Sequence, residues 1–220
     1  MAVAGGRTGR MTFRQLRGQP MTGSMRRIAA PLLLIGSLGL SGCVGAAVGA
    51  GAAGGITIAQ ERSVGAAIDD GVIQANVNHQ LLQHSEQLFS KVGIEVVEGR
   101  VLLTGVVPSP DDRVTATRLS WKVKGVQEVL NELEVSDKSS IVDFAKDTWI
   151  TTQLHGRLLA DQDVSDINYN VETVNGVIYL FGIAQDEGEL QRVTAHARTI
   201  KGVSKVVSHV LVKTDPRRKS

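Results

Sequence analysis

A constant offset of 77 residues lays the second part of this chain over the first without a gap. Ile73, Val77, Leu81 and Leu82 fall on Ile150, Leu154, Leu158 and Leu159. Gly99-Arg100-Val101-Leu102-Leu103-Thr104-Gly105 falls on Gly176-Val177-Ile178-Tyr179-Leu180-Phe181-Gly182, and Lys124-Gly125-Val126 on Lys201-Gly202-Val203. Leu133 and Val135 fall on Val210 and Val212. Whatever the first unit folds into, the second must fold into as well. Units of this length are small domains rather than solenoid repeats, which are shorter and need more copies. The polar string Ser136-Asp137-Lys138-Ser139-Ser140 separates them, giving domains over 64–138 and 139–214. Such a boundary predicts two fragments, each with its own cooperative transition.

Each unit reads helix, strand, strand, helix, strand. The first helix carries apolar residues at i, i+4 and i+8 (Ile73, Val77, Leu81; Ile150, Leu154, Leu158), an amphipathic stripe. Ser140 and Asp143 have capping-box spacing at its start in the second unit. A hairpin follows, turning at Glu98-Gly99 and at Asn175-Gly176, the latter well suited to the positive φ angles of a type I′ turn. The second helix opens at Ser109-Pro110 and at Asp186, with Glu189 three residues on, and each copy is predicted to stop at a glycine, Gly125 or Gly202. An alternating strand closes each unit (Val129, Asn131, Leu133, Val135; Val206, Ser208, Val210, Val212). A strand–helix–strand connection implies a parallel pair with a right-handed crossover. The expected class is α+β, each unit an α-β-β-α-β domain whose mixed three-stranded sheet carries two helices on one face.

The N-terminal stretch differs in kind. Six of the 24 basic residues are Arg within 1–42, a segment with no acid, so the remainder holds 18 basic and 22 acidic side chains and a net charge of −4. A mildly acidic body lacks the broad basic footprint of a nucleic-acid binder. Arg26-Arg27 precede an apolar run from Ile28 to Leu40, the layout of a secretory signal and short for a membrane span. Residues 1–42 are therefore read as a signal peptide, with Met21 and Met25 as alternative starts. The run ends at Leu40-Ser41-Gly42-Cys43, which resembles a bacterial lipobox and places the single cysteine where acylation would occur. Two or three acyl chains hold far more firmly than one, at about 0.8 kcal/mol per buried methylene. Val44-Gly45 lacks the Asp that retains many lipoproteins in the inner membrane, so that resemblance implies the outer membrane. Residues 43–63 are Gly/Ala-rich and read as a flexible tether.

The signatures Gly99 to Gly105 with Gly125-Val126-Gln127-Glu128-Val129, and Gly176 to Gly182 with Gly202-Val203-Ser204-Lys205-Val206, closely resemble those of the BON domain. Arg100 departs from the usual valine at the turn exit. A lipobox followed by two such units is similar to the dual-BON outer-membrane lipoproteins. The resemblance implies a non-enzymatic, periplasm-facing protein that binds anionic phospholipid, phosphatidylglycerol or cardiolipin, and supports envelope integrity, with recruitment to division sites in some members. The competing reading is a periplasmic scaffold for proteins of outer-membrane assembly or cell-wall remodelling.

No catalytic constellation stands out, and no cofactor is implied. His79, His84, His155, His196 and His209 form no i, i+3 or i+4 pair, and no acid joins them at metal-ligand spacing. Asp161, Asp163 and Asp166 lack the glycine and distant Glu of a calcium loop and read as a polar loop.

The differences between the units point to function. At about 100° per residue, Ile150, Leu154 and Leu158 turn away from Trp149 toward the sheet, while Thr152, Gly156 and Leu159 share its side of the helix. Trp149 replaces Val72 of the first unit, and Lys146 lies nearby to meet a lipid phosphate. An indole suits a bilayer interface, apolar in its ring and hydrated at its N–H. These five residues form the candidate phospholipid site; packing of Trp149 against the other unit is the alternative. If Ile178 and Leu180 face the helices, Tyr179, Phe181, Val207 and Leu211 form a second apolar patch, expected to pack against the first unit or a partner. The basic tail 215–220, with Arg217-Arg218-Lys219, is either a solvated terminus or an aid to binding an anionic surface.

Overall fold

A computed structural model describes residues 60–136 and 141–218; Cys43, Ser140 and Lys219 lie outside them. Ser63 opens α1 (Val64–His84), its hydroxyl accepting the Ala66 N–H at 3.1 Å. A short α2 (Glu86–Lys91), absent from the sequence reading, leads into β1 (Val92–Val97). Then follow β2 (Arg100–Val107), α3 (Pro110–Trp121), β3 (Glu128–Asn131) and β4 (Glu134–Val135). The second repeat comprises α4 (Ile141–Ala160), a 3-10 turn (Asp166–Asn168), β5 (Tyr169–Val174), β6 (Val177–Ala184), α5 (Glu187–Arg198), β7 (Lys205–Ser208) and β8 (Leu211–Val212).

The 77-residue offset is carried into register. β1 pairs antiparallel with β2, Val92 opposite Gly105, as β5 pairs with β6, Tyr169 opposite Gly182. β3 lies parallel to β2 from Arg100 opposite Glu128, and β7 to β6 from Val177 opposite Lys205. The third strand is not continuous, as the alternation suggested, but breaks after Asn131 and Ser208. There the Leu133 N–H turns to the Asn131 side chain at 3.0 Å, and the ladder resumes as β4 and β8. The break leaves Leu133 in the core. The predicted helix stops also shift. α3 and α5 end at Trp121 and Arg198, and Gly125 and Gly202, at φ +98° and +96°, belong to the turns that follow.

Each sheet is covered on one face by its own helices. Ile73, Val77 and Leu81 meet Ile94, Val96, Val101 and Leu103 in the first repeat, with Ala116 and Leu119 of α3. Ile150, Leu154 and Leu158 meet Val171, Ile178 and Leu180 in the second, with Val193 and Ala197 of α5. The opposite faces pack on each other: Val97 and Leu102 join Tyr179, Phe181 and Ile183 in one cluster. The order of layers is therefore helices, sheet, sheet, helices.

A candidate membrane-facing site on the second repeat

Asp147 fixes how α4 is rotated. Buried at the helix–sheet junction, its carboxylate accepts the N–H groups of Asn175 and Gly176 at 2.7 and 2.8 Å. Both turn residues have positive φ, 50° and 77°, so their amides point out of the ladder and need an acceptor. Asp70 does the same for Glu98 and Gly99, at 2.8 Å each. These two aspartates sit at matching positions in the repeat, a pairing visible in the sequence once the helices are aligned. The reading of apolar stripes passed over it.

With Asp147 inward, Trp149 faces out and is 47% exposed. Thr152, Gly156 and Leu159 are exposed on the same side, and space is open around Gly156. Thr148 and Thr152 turn their hydroxyls back to the carbonyls of Phe144 and Thr148, each at 2.9 Å, so their hydroxyl protons are already used within the helix. From Phe144 to Ala160 the helix has no carboxylate but Asp147, which is buried. Lys146 lays its stem over Gly202, so a side chain at that glycine would crowd it. Lys201 and Lys205 are exposed on either side of this turn. In the first repeat these three cations correspond to Asp69, Lys124 and Glu128, a reversal of charge at two positions. Lys201 and Lys205 escaped the sequence reading because they join Lys146 only through the fold.

Tyr179 and Phe181 lie elsewhere, in the seam between the sheets, 4% and 0% exposed. Val207 packs against that cluster; Leu211 is buried opposite Ile183 on β8. Arg100 does more than depart from the usual valine. Its guanidinium stands 5.2 Å over the Phe181 ring, donates to the His209 carbonyl at 3.1 Å and pairs with Glu128 at 2.6 Å, tying the repeats together. His209 in turn bonds Glu132 at 2.8 Å. Burial first, and then the charges of Glu134 and Glu132, push the Tyr179 phenol up to about 12. Glu95 accepts from Asn170 across the seam at 2.8 Å. Burial, then the neighbouring Glu172 charge, raise its carboxyl to about 7, against the pull of Arg62. Burial also raises Glu172, its positional counterpart, with His155 opposing.

The two ends of the described body meet here too. Glu61 donates its N–H to the Asn168 side chain at 2.9 Å and pairs with Lys213 at 2.7 Å, while Arg62 pairs with Asp70 at 3.1 Å, so the last residues of the supposed tether are held against both repeats. Arg218 forks onto Glu98 at 2.8 and 3.1 Å and donates to the Glu61 carbonyl; Arg217 pairs with Asp215 at 2.8 Å. Arg218, only 12% exposed, is thus neither solvated nor available to a membrane. The polar loop after α4 has a structural use: Asp166 bonds His155 and Asp161 bonds His196, both at 2.8 Å. Among the described residues no cluster of His, Cys, Asp or Glu could hold a metal, and no helix is long and apolar enough to cross a membrane.

The BON domain family model matches twice, over residues 69–137 and 146–214, at the same offset that relates the two sheets. The chain belongs to the BON domain family. Relatives come from several bacteria. A protein of the gshII 5′ region of Anaplasma centrale is 41% identical over 153 residues, 69% of this chain and all of the relative. The outer membrane lipoprotein DolP of Haemophilus influenzae is 34% identical, with 80% of this chain and 91% of that protein aligned. The osmotically-inducible protein Y of Escherichia coli is 30% identical over 68% of this chain and 76% of its own length.

Proposed function

We propose that this chain is a BON-domain lipoprotein of the cell envelope, acylated at Cys43 and held on the periplasmic face of the outer membrane. There its second BON domain docks on anionic phospholipid and supports envelope integrity. The observation that carries the reading is the outer face of α4: a half-exposed Trp149 on a stretch, Phe144 to Ala160, without an exposed carboxylate, next to Lys146, Lys201 and Lys205. Each cation near an anionic surface contributes about 1 kcal/mol, and the indole anchors at headgroup depth. The first repeat offers Val72 and Asp69 at the matching positions and is the poorer surface. The likeness to an outer membrane lipoprotein supports the location.

The test is flotation of fragment 61–220 on vesicles of phosphatidylcholine with and without phosphatidylglycerol or cardiolipin. The fragment is expected to float with anionic vesicles alone. Trp149→Glu is expected to abolish flotation while changing stability by less than about 1 kcal/mol, as a surface substitution does. Equal flotation on neutral and anionic vesicles, or unfolding of the variant, would sink the proposal.

A further inference from the structure

On α3 of the first repeat a second exposed apolar face has no role in the fold. Ala116, Leu119 and Ser120 are the buried side of this helix. Val114 and Trp121, seven residues apart and so on one stripe, point the other way and are 64% and 52% exposed. Together with Val135 of the edge strand β4 they line a groove of about 790 Å³. Arg113 and Arg118 also line it, and no carboxylate does: Asp111 and Asp112 in the first turn stay outside the lining. Arg113 donates to Asn131, a neutral partner, at 3.3 Å. Arg118 has no ion-pair partner among the described residues.

The groove is particular to this repeat. At the matching positions of the second, Pro110, Arg113, Val114, Arg118 and Trp121 are replaced by Glu187, Leu190, Gln191, Ala195 and Arg198. The same helix on the same sheet therefore folds without it. We propose that this groove is a docking site for an acidic segment of a partner protein, anchored by a bulky apolar side chain against Trp121 and held by Arg113 and Arg118. Trp and Arg are the side chains that most often dominate such interfaces, and two guanidiniums over an apolar floor favour carboxylates. Concavity argues for a peptide over a bilayer, which is met by projecting side chains. Position argues the same way: α3 covers the first sheet and α4 the second, with both sheets between them. A protein seated on the membrane through Trp149 keeps this groove free on its other helical layer.

The probe is a random peptide library panned on the purified full chain in detergent, with affinities of the enriched peptides read by fluorescence anisotropy. Enriched sequences are expected to combine Asp or Glu with an aromatic or Leu residue and to bind more weakly as salt rises. Affinity is expected to fall at least about tenfold in Trp121→Ala and in Arg118→Glu, and to be unchanged in Trp149→Glu. Arg118 is exposed, so its reversal leaves the core intact if Trp121→Ala disturbs folding. No enrichment, enrichment without acids, or peptides that bind both groove variants as tightly as the parent chain would overturn the proposal. So would loss of flotation on phosphatidylglycerol vesicles in Arg118→Glu with peptide binding kept, which assigns the groove to lipid. A concentration-dependent dimer that disappears in Trp121→Ala would assign it to a second copy, and overturn it equally.

Discussion

The two BON domains share their backbone devices and differ in what they show to the outside. Asp70 and Asp147 pin equivalent hairpin turns, and the strand registers coincide at every position. Yet the one exposed Trp of the first domain stands on α3, at Trp121, and that of the second on α4, at Trp149. Each has a non-aromatic counterpart, Arg198 and Val72. Internal duplication thus separates two kinds of constraint. Residues that must be kept for either copy to fold recur at the offset, whereas residues free of that demand have diverged into distinct surfaces.

The sheet seam is where this comparison breaks most sharply. Phe181 is fully buried there, while its counterpart Thr104 is a small polar residue. Phe181→Ala should lower the stability of the full chain by about 4 kcal/mol through the cavity it leaves, read by urea denaturation. In the isolated second domain, whose seam face meets water, the same change should cost about 1 kcal/mol or less. Equal losses in both settings would mean the domains do not rely on the seam.

The turn aspartates test the opposite expectation, sameness. Asp70→Ala and Asp147→Ala each orphan two backbone N–H groups and should cost about 3 kcal/mol apiece, measured by denaturation of the two variants side by side. A difference much larger than 1 kcal/mol would show that one domain absorbs the loss that the other cannot.

A smaller effect should appear on titration. Glu95 has its folded-state carboxyl raised to about 7, so the folded chain binds the more protons between its ordinary value and that point. Stability must then be highest on the acid side of this window and fall as pH rises through it, by about 2 kcal/mol. Glu95→Gln keeps an acceptor for Asn170 and should flatten that slope and stabilise the chain at neutral pH. Thermal melts at pH 5 and pH 8 check it, and a parent chain equally stable at both would refute the assignment.

Much of this was legible in the sequence. The offset named the core residues of α1 and α4 and the hairpin turns, because helical and strand periodicities report which side of an element is dry. It also put Trp149 off the core stripe. What escaped were features made by contacts between distant residues. Arg100 reads as a turn-exit substitution until Phe181, 81 positions away, comes under its guanidinium. Lys201 and Lys205 reach the α4 site only through the turn at Gly202, and Glu95 meets Asn170 only when the sheets stack. The strand break at Glu132 and the short α2 escaped for a different reason: both are local accommodations that leave the alternation of side chains unchanged.

The clasp of Arg218 on Glu98 and Glu61 has a mechanical meaning. A pull arriving from the N-terminal side of the chain reaches the described body at Glu61. There it divides at once between Asn168 and Lys213 of the second domain and, through Arg218, the hairpin of the first. Load is shared across both domains instead of passing through them in series. To peel one domain from the other, a force would have to shear the Arg218 fork and the seam beneath it together. A pair of domains loaded in this way resists a pull on the N-terminal side as one body, not as two beads on a string.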